Sequence, residues 1–233
     1  MTEKPVIDHS DVAEEINSAI NYAMYSVFKV NRFSKGKPDI KALEKQLAEI
    51  KDLKIRGWYD ISGFRADADI LVWMHAPETQ APLQKAYNTI INWANSALEP
   101  VWSSVGVHRA AEFNKRHVPA FLAGEEAKDY VSLYPFVREP EWYLLPDEER
   151  SKLLREHGMA AKDYGDVLAN TISAFGLNDY EWLLAFESDD LVRLVDLVRD
   201  LRATGARKYV NVEIPFFTGT RKELDELFAG ILN

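Results

Sequence analysis

Two ferredoxin-like units, each ordered β-α-β-β-α-β and packed sheet against sheet, make up the α+β fold that this sequence predicts. Three observations carry the prediction. Segments rich in aromatic and β-branched residues alternate with segments whose apolar residues recur every three or four positions. The order strand, helix, strand, strand, helix, strand occurs twice. At 233 residues and 47% hydrophobic, the chain has ample core for one large domain or two small ones.

Met1 to Ser10 is polar and charged, without the apolar stretch of a signal peptide, and residues 1–18 are expected to form a disordered tail. Asn21–Val30 (NYAMYSVFKV) reads as a strand, followed by a polar loop over 31–37. Ile40, Leu43, Leu47 and Ile50 mark an amphipathic helix. Residues 54–62 and 69–75 read as strands joined by a polar turn, Pro77 opens a second helix through Leu83, Tyr87, Ile90 and Trp93, and 100–113 returns as a strand. The first unit is thus 19–115. A linker loop over 116–127 holds His117, Pro119 and Gly124. The order then repeats across 128–233: a strand over 128–138, a helix over 146–164, and strands over 170–177 and 180–187 around Asn178-Asp179. A helix striped by Leu191, Leu194, Val195, Val198 and Leu201 follows, then a last strand over 207–216 and a terminal helix over 223–232. The halves share little sequence identity, so the repeat is one of element order, of the dimeric α+β barrel type.

Composition narrows the partners. A net charge of -9 argues against nucleic acid and means that an anionic ligand must be met by locally clustered cations. Cysteine is absent, which removes disulfides and thiolate metal sites and fits an intracellular protein. No window approaches the roughly 20 apolar residues of a membrane span, so a cytoplasmic location is expected. Six Trp and ten Tyr exceed what packing alone asks for. There is no Gly-rich phosphate loop, no H-E-x-x-H and no paired-histidine zinc spacing; His75 and His108 fall in strands and read as structural.

The chemistry concentrates between Tyr134 and His157, YPFVREPEWYLLPDEERSKLLREH. Strands present alternate residues to one face, so Tyr130, Ser132, Tyr134, Phe136 and Arg138 point one way, and Val131, Leu133 and Val137 the other. The second set reads as core; the first mixes hydroxyls, rings and a cation, as a ligand pocket does. In the helix that follows, Asp147, Glu148 and Glu149 complement the dipole, and Leu153, Leu154 and His157 form one stripe. A histidine on such a stripe is more often a satisfied core residue. Here it faces a strand carrying Tyr134 and Arg138, with no second histidine at i+4 to share a metal, and one neutral imidazole facing an aromatic cavity is what haem iron takes as its proximal ligand.

YPFVR, WYLLPDEER and LLREHGM, with FESD at Phe186–Asp189 and EIPFFTG at Glu213–Gly219, resemble the motifs of the coproheme decarboxylases of the chlorite dismutase-like superfamily, actinobacterial type. The resemblance spans most of 21–231. It implies a homopentamer whose subunits bind iron coproporphyrin III (coproheme) in the C-terminal half, with a ferrochelatase as the partner that delivers it. Coproheme is then both substrate and redox centre. Hydrogen peroxide oxidises the iron, the oxidising equivalent reaches a tyrosine, and two propionates become vinyls, giving haem b. On the matching positions Tyr134 is the radical tyrosine and His157 the proximal iron ligand. His117, read from the residues alone as an exposed loop histidine, matches the distal base that deprotonates peroxide.

Arg138 would orient the reacting propionate; firmicute-type members tend to carry lysine there, so arginine keeps the charge and changes the geometry. Trp142 is a propionate-side wall, a secondary radical site or a packing residue, with packing the more usual use, and Trp182 is core on the porphyrin side of the sheet. The resemblance puts Ala206 where chlorite-degrading relatives place an arginine over the iron, with Arg207 left for a propionate. A shift of one residue would bring Arg207 over the iron and favour chlorite breakdown or peroxidase activity. A non-catalytic haem-binding protein would need His157 and not Tyr134.

Overall fold

The computed structural model of the chain describes residues 9–33 and 39–232. Its strands are β1 (Asn21–Val30), β2 (Lys54–Asp60), β3 (Ile70–Pro77), β4 (Leu98–Val107), β5 (Tyr130–Arg138), β6 (Leu168–Ser173), β7 (Trp182–Ser188), β8 (Val210–Val212) and β9 (Phe217–Lys222). The helices are α1 (His9–Ser18), α2 (Ile40–Ala48), α3 (Ala81–Ala94), α4 (Pro140–Leu144), α5 (Asp147–Ala160), α6 (Leu191–Arg202) and α7 (Leu224–Leu232), with a 3-10 helix at Gly205–Tyr209.

The strands run β7-β6-β4-β1-β3-β2-β9-β5-β8, and β7 also pairs with β5, so the antiparallel sheet closes into a barrel with β8 carried on the end of β5. Within the first half the order is β4-β1-β3-β2, and within the second β9-β5-β7-β6, the same ferredoxin-like order. The halves meet edge to edge through β2–β9 and β4–β6. Tyr25, Tyr59 and Trp73 of the first half and Val131, Leu133, Leu183 and Phe217 of the second fill the interior between the two sheets. An ion pair with a fully buried carboxylate crosses it: Arg56 donates to both oxygens of Glu187, at 3.2 and 3.0 Å. Breaking such a pair strands a buried charge, at a cost of about 3–5 kcal/mol.

Outside the barrel, each half carries its own helical layer. In the first, α2 and α3 bury Leu43, Leu47, Leu83, Ala86, Ile90 and Ala94 against Met24, Phe28 and Val30 of β1. In the second, α6 buries Leu194, Leu197 and Leu201 beside Tyr134 and Phe186, whereas α5 has no fully buried residue.

The expected disordered tail needs correction. From residue 9 it is helical, because Ala13 and Ile16 are buried and Asn17 donates to the Lys115 carbonyl at 2.6 Å and bonds His108 Nε2 at 3.0 Å; the first eight residues lie outside the described ones. The expected last strand over 207–216 is also corrected: Arg207 sits in the 3-10 helix, and β8 and β9 flank a loop over 213–216. The linker plugs the barrel end, with Phe121 edge-on to Trp73 at 5.4 Å and to His75 at 5.0 Å.

Candidate functional site

The pocket-forming side chains come from β5, α5, the 3-10 helix and the 213–216 loop, all on the outer face of the second half-barrel. The alternation on β5 holds: Val131 and Leu133 point into the barrel, and Tyr130 and Tyr134 pack outward toward the helices. Tyr134 is 3% exposed, stacked on Phe216 with centroids 4.5 Å apart and tilted against Phe186 at 6.1 Å. Burial first, and then the Glu213 carboxylate, push its phenol well above the ordinary range, with Arg202 and Arg207 opposing. The phenol stays protonated near neutrality and is in the state to give up a hydrogen atom.

His157 is half-buried on α5. Its Nδ1 lies 3.2 Å from the Thr204 hydroxyl, and that hydroxyl donates its one proton to the Leu201 carbonyl at 2.8 Å. Thr204 can therefore only accept from the imidazole, so Nδ1 carries the hydrogen and Nε2 keeps its lone pair. Burial, with Arg138 adding to it, holds the ring below its usual range and so neutral. A neutral imidazole with an aprotic Nε2 is the form that ligates iron, fixed by a hydrogen bond on its far nitrogen. Among the described residues no three His, Asp or Glu side chains gather to hold a metal unaided. The geometry fits a metal that arrives with its own equatorial donors, as a porphyrin iron does.

The 3-10 helix packs closely on α5: a Cβ at Gly205 would meet the side-chain ends of Leu153 at 2.8 Å and Glu156 at 3.2 Å. Ala206, 2% exposed, follows two residues after Thr204, and its carbonyl accepts from Arg138 Nη1 at 3.3 Å. That turn stands behind the nitrogen of His157 that faces away from Nε2. The approach of that turn to His157 is thus made through Thr204, on the Nδ1 side. Arg207 donates instead to Glu213 at 2.6 Å.

Arg138 turns toward His157. Its guanidinium lies 4.0 Å over the buried Trp142 ring and 4.6 Å from the Phe136 centroid, and burial draws its pKa down to about 10. Trp142 thus forms its floor. Trp182 is not the core residue expected. It is half-buried and edge-on to Phe175 at 5.3 Å, a ring that also packs edge-on against Tyr143, whose phenol donates to Glu181 at 2.5 Å. His117 is exposed in the linker, its backbone N–H bonded to Asn114, and loss of surrounding water still holds its imidazole below the ordinary range. It contacts none of the other candidates. Sequence reasoning missed Thr204, Arg202 and Glu213, although Glu213 opens the EIPFFTG stretch.

Residues 36–222 match the family described as chlorite dismutase. The chain belongs to that family. A coproheme decarboxylase of Mycolicibacterium smegmatis is 51% identical over 225 residues, covering 93% of this chain and 96% of that protein. A crystal structure of a chlorite dismutase variant from Candidatus Nitrospira defluvii superimposes with a TM-score of 0.76 at 20% identity, covering 94% of this chain and 99% of its own. The enzyme of that organism in complex with imidazole gives 0.72 at 20%, with 91% and 95% covered. At that identity the structural likeness speaks to the family fold alone.

Proposed function

We propose that this chain is a coproheme decarboxylase, oxidising two propionates of iron coproporphyrin III to vinyls with hydrogen peroxide and yielding haem b. The observation that carries the reading is the pairing, on one half-barrel face, of an imidazole with its Nε2 free and a buried protonated tyrosine. The 51% identical decarboxylase supports it.

In this reading His157 binds the iron of the substrate and leaves the opposite face open to peroxide. Each propionate, with one peroxide and one proton, becomes a vinyl, carbon dioxide and two waters. Bound iron supplies the oxidising equivalent. Tyr134 loses its phenolic hydrogen, then takes a hydrogen atom from the propionate carbon, and carboxylate loss follows. Arg138 and Trp142 hold the porphyrin edge beside His157. The chlorite-degrading alternative needs a guanidinium over the iron, and the Arg207 guanidinium is paired with Glu213. No helix of the described residues is long and apolar enough to cross a membrane.

Replacing Tyr134 with Phe tests the assignment against a haem carrier. Coproheme binding should survive, and mass spectrometry after peroxide addition should show no loss of carboxyl groups. Normal conversion to haem b by that variant would remove Tyr134 from the reaction.

A further inference from the structure

Arg138 is not the cation that bears most on Tyr134. Glu213 takes three guanidinium hydrogen bonds on its single oxygen Oε2: from Arg202 Nε at 3.1 Å and Nη2 at 2.7 Å, and from Arg207 Nη1 at 2.6 Å. The carboxylate is drawn in, 14% exposed, while the two guanidinium side chains are 43% and 42% exposed. Two arginines against one carboxylate leave one positive charge over. Each guanidinium has five N–H donors, so most of theirs remain unspent on Glu213. Phe216 ties this group to the tyrosine: its ring stacks on Tyr134 at 4.5 Å, and the Arg202 guanidinium carbon lies 5.7 Å from the same ring. The charges acting on the phenol are those of Glu213, Arg202 and Arg207, in that order. The Arg138 guanidinium lies over the Trp142 and Phe136 rings and donates to the Ala206 carbonyl.

We propose that Arg202 and Arg207, held side by side by Glu213, form the clamp for the reacting propionate beside Tyr134. This rests on the coproheme reading above and reassigns the role first expected of Arg138. Glu213 acts as a spacer. It cancels the repulsion between the guanidiniums, and an incoming carboxylate completes the charge balance without displacing it. A chain with a net charge of -9 has to place such an excess cation locally to receive a tetra-anionic porphyrin. The clamp also reads progress of the reaction: a porphyrin with a vinyl at the reacting position offers it nothing, so substrate is held in preference to product.

Metal-free porphyrins test the clamp without the His157–iron bond. Coproporphyrin III carries propionates where protoporphyrin IX carries vinyls, and binding of each to the full chain is followed by quenching of tryptophan fluorescence. Arg202→Gln should weaken coproporphyrin III by about tenfold, the loss of one charge-assisted hydrogen bond, and leave protoporphyrin IX unchanged. Arg207→Gln should give the same split. Equal weakening of both porphyrins would mean that the clamp holds a propionate common to both, and no weakening of either that it holds none; each result overturns the proposal. Failure of the unaltered chain to bind iron coproporphyrin III would instead sink the coproheme reading itself.

Discussion

In the first half of the barrel, α2 and α3 press six fully buried side chains onto the outward face of β1, where Met24, Phe28 and Val30 receive them. In the second half the topology is the same, yet the outward face of β5 offers Ser132, Tyr134, Phe136 and Arg138, and α5 has no fully buried residue to set against it. One layer is a finished core. The other is a core left open along one helix, and every candidate site residue but His117 lies there. The difference shows how one fold serves two ends: the closed half holds the barrel's shape, and the open half spends that rigidity on a pocket.

If the open half is where chemistry happens, the largest effects should come from its polar groups while the fold stays intact. His117 reaches that half only from the linker, so it tests how far the site extends. Its imidazole, held low by loss of solvent, is neutral at pH 7 and available as a base; as pH falls through the imidazole range it protonates and the peroxide step should slow. His117→Ala should slow that step on the order of 10²–10⁴-fold, flatten this pH dependence and spare coproheme binding. Unchanged peroxide kinetics in stopped flow would confine the site to the second half.

His157→Ala should come next. Losing the ligand itself should cost at least the roughly 10–100-fold in affinity known for outer-shell partners, and should shift the Soret band of bound coproheme. An unaltered Soret spectrum would leave the open stripe of α5 without a purpose.

These residues differ in how visible they were in the sequence. Alternation on β5 placed Tyr134 outside the barrel and Val131 and Leu133 inside, because a strand's two-residue period is local. His157 was found by helical spacing, although its stripe is half-buried rather than buried, since the layer it faces is unfilled. Thr204 was invisible: it meets His157 across 47 positions, and a threonine in a turn announces nothing. Arg202 and Glu213 converge on Tyr134 only once α6 and the 213–216 loop are folded. The difference over 207–216 has the same origin, for the 3-10 helix sets Gly205 against Leu153 and Glu156 of α5, some fifty positions away in the chain. The helix at residue 9 was hidden by polar composition, with Ala13 and Ile16 its buried residues among the described ones.

Core truncation in each half gives the smallest effects and the most direct measure of the contrast. Leu83 on α3 is wholly buried, so Leu83→Ala removes apolar contact and leaves a cavity that a finished layer cannot collapse, costing about 2–5 kcal/mol. Leu154, one turn before His157 on α5, is half-buried, and the same truncation takes away contacts that water or neighbours already share. Leu154→Ala should therefore cost less than about 1 kcal/mol in the ligand-free protein. Urea unfolding of both variants, followed at the tryptophans and by far-ultraviolet circular dichroism, measures the two values on one scale. Equal losses would mean that α5 is packed as tightly as α3, and the open layer would no longer explain why this half, and not its topological twin, carries the site.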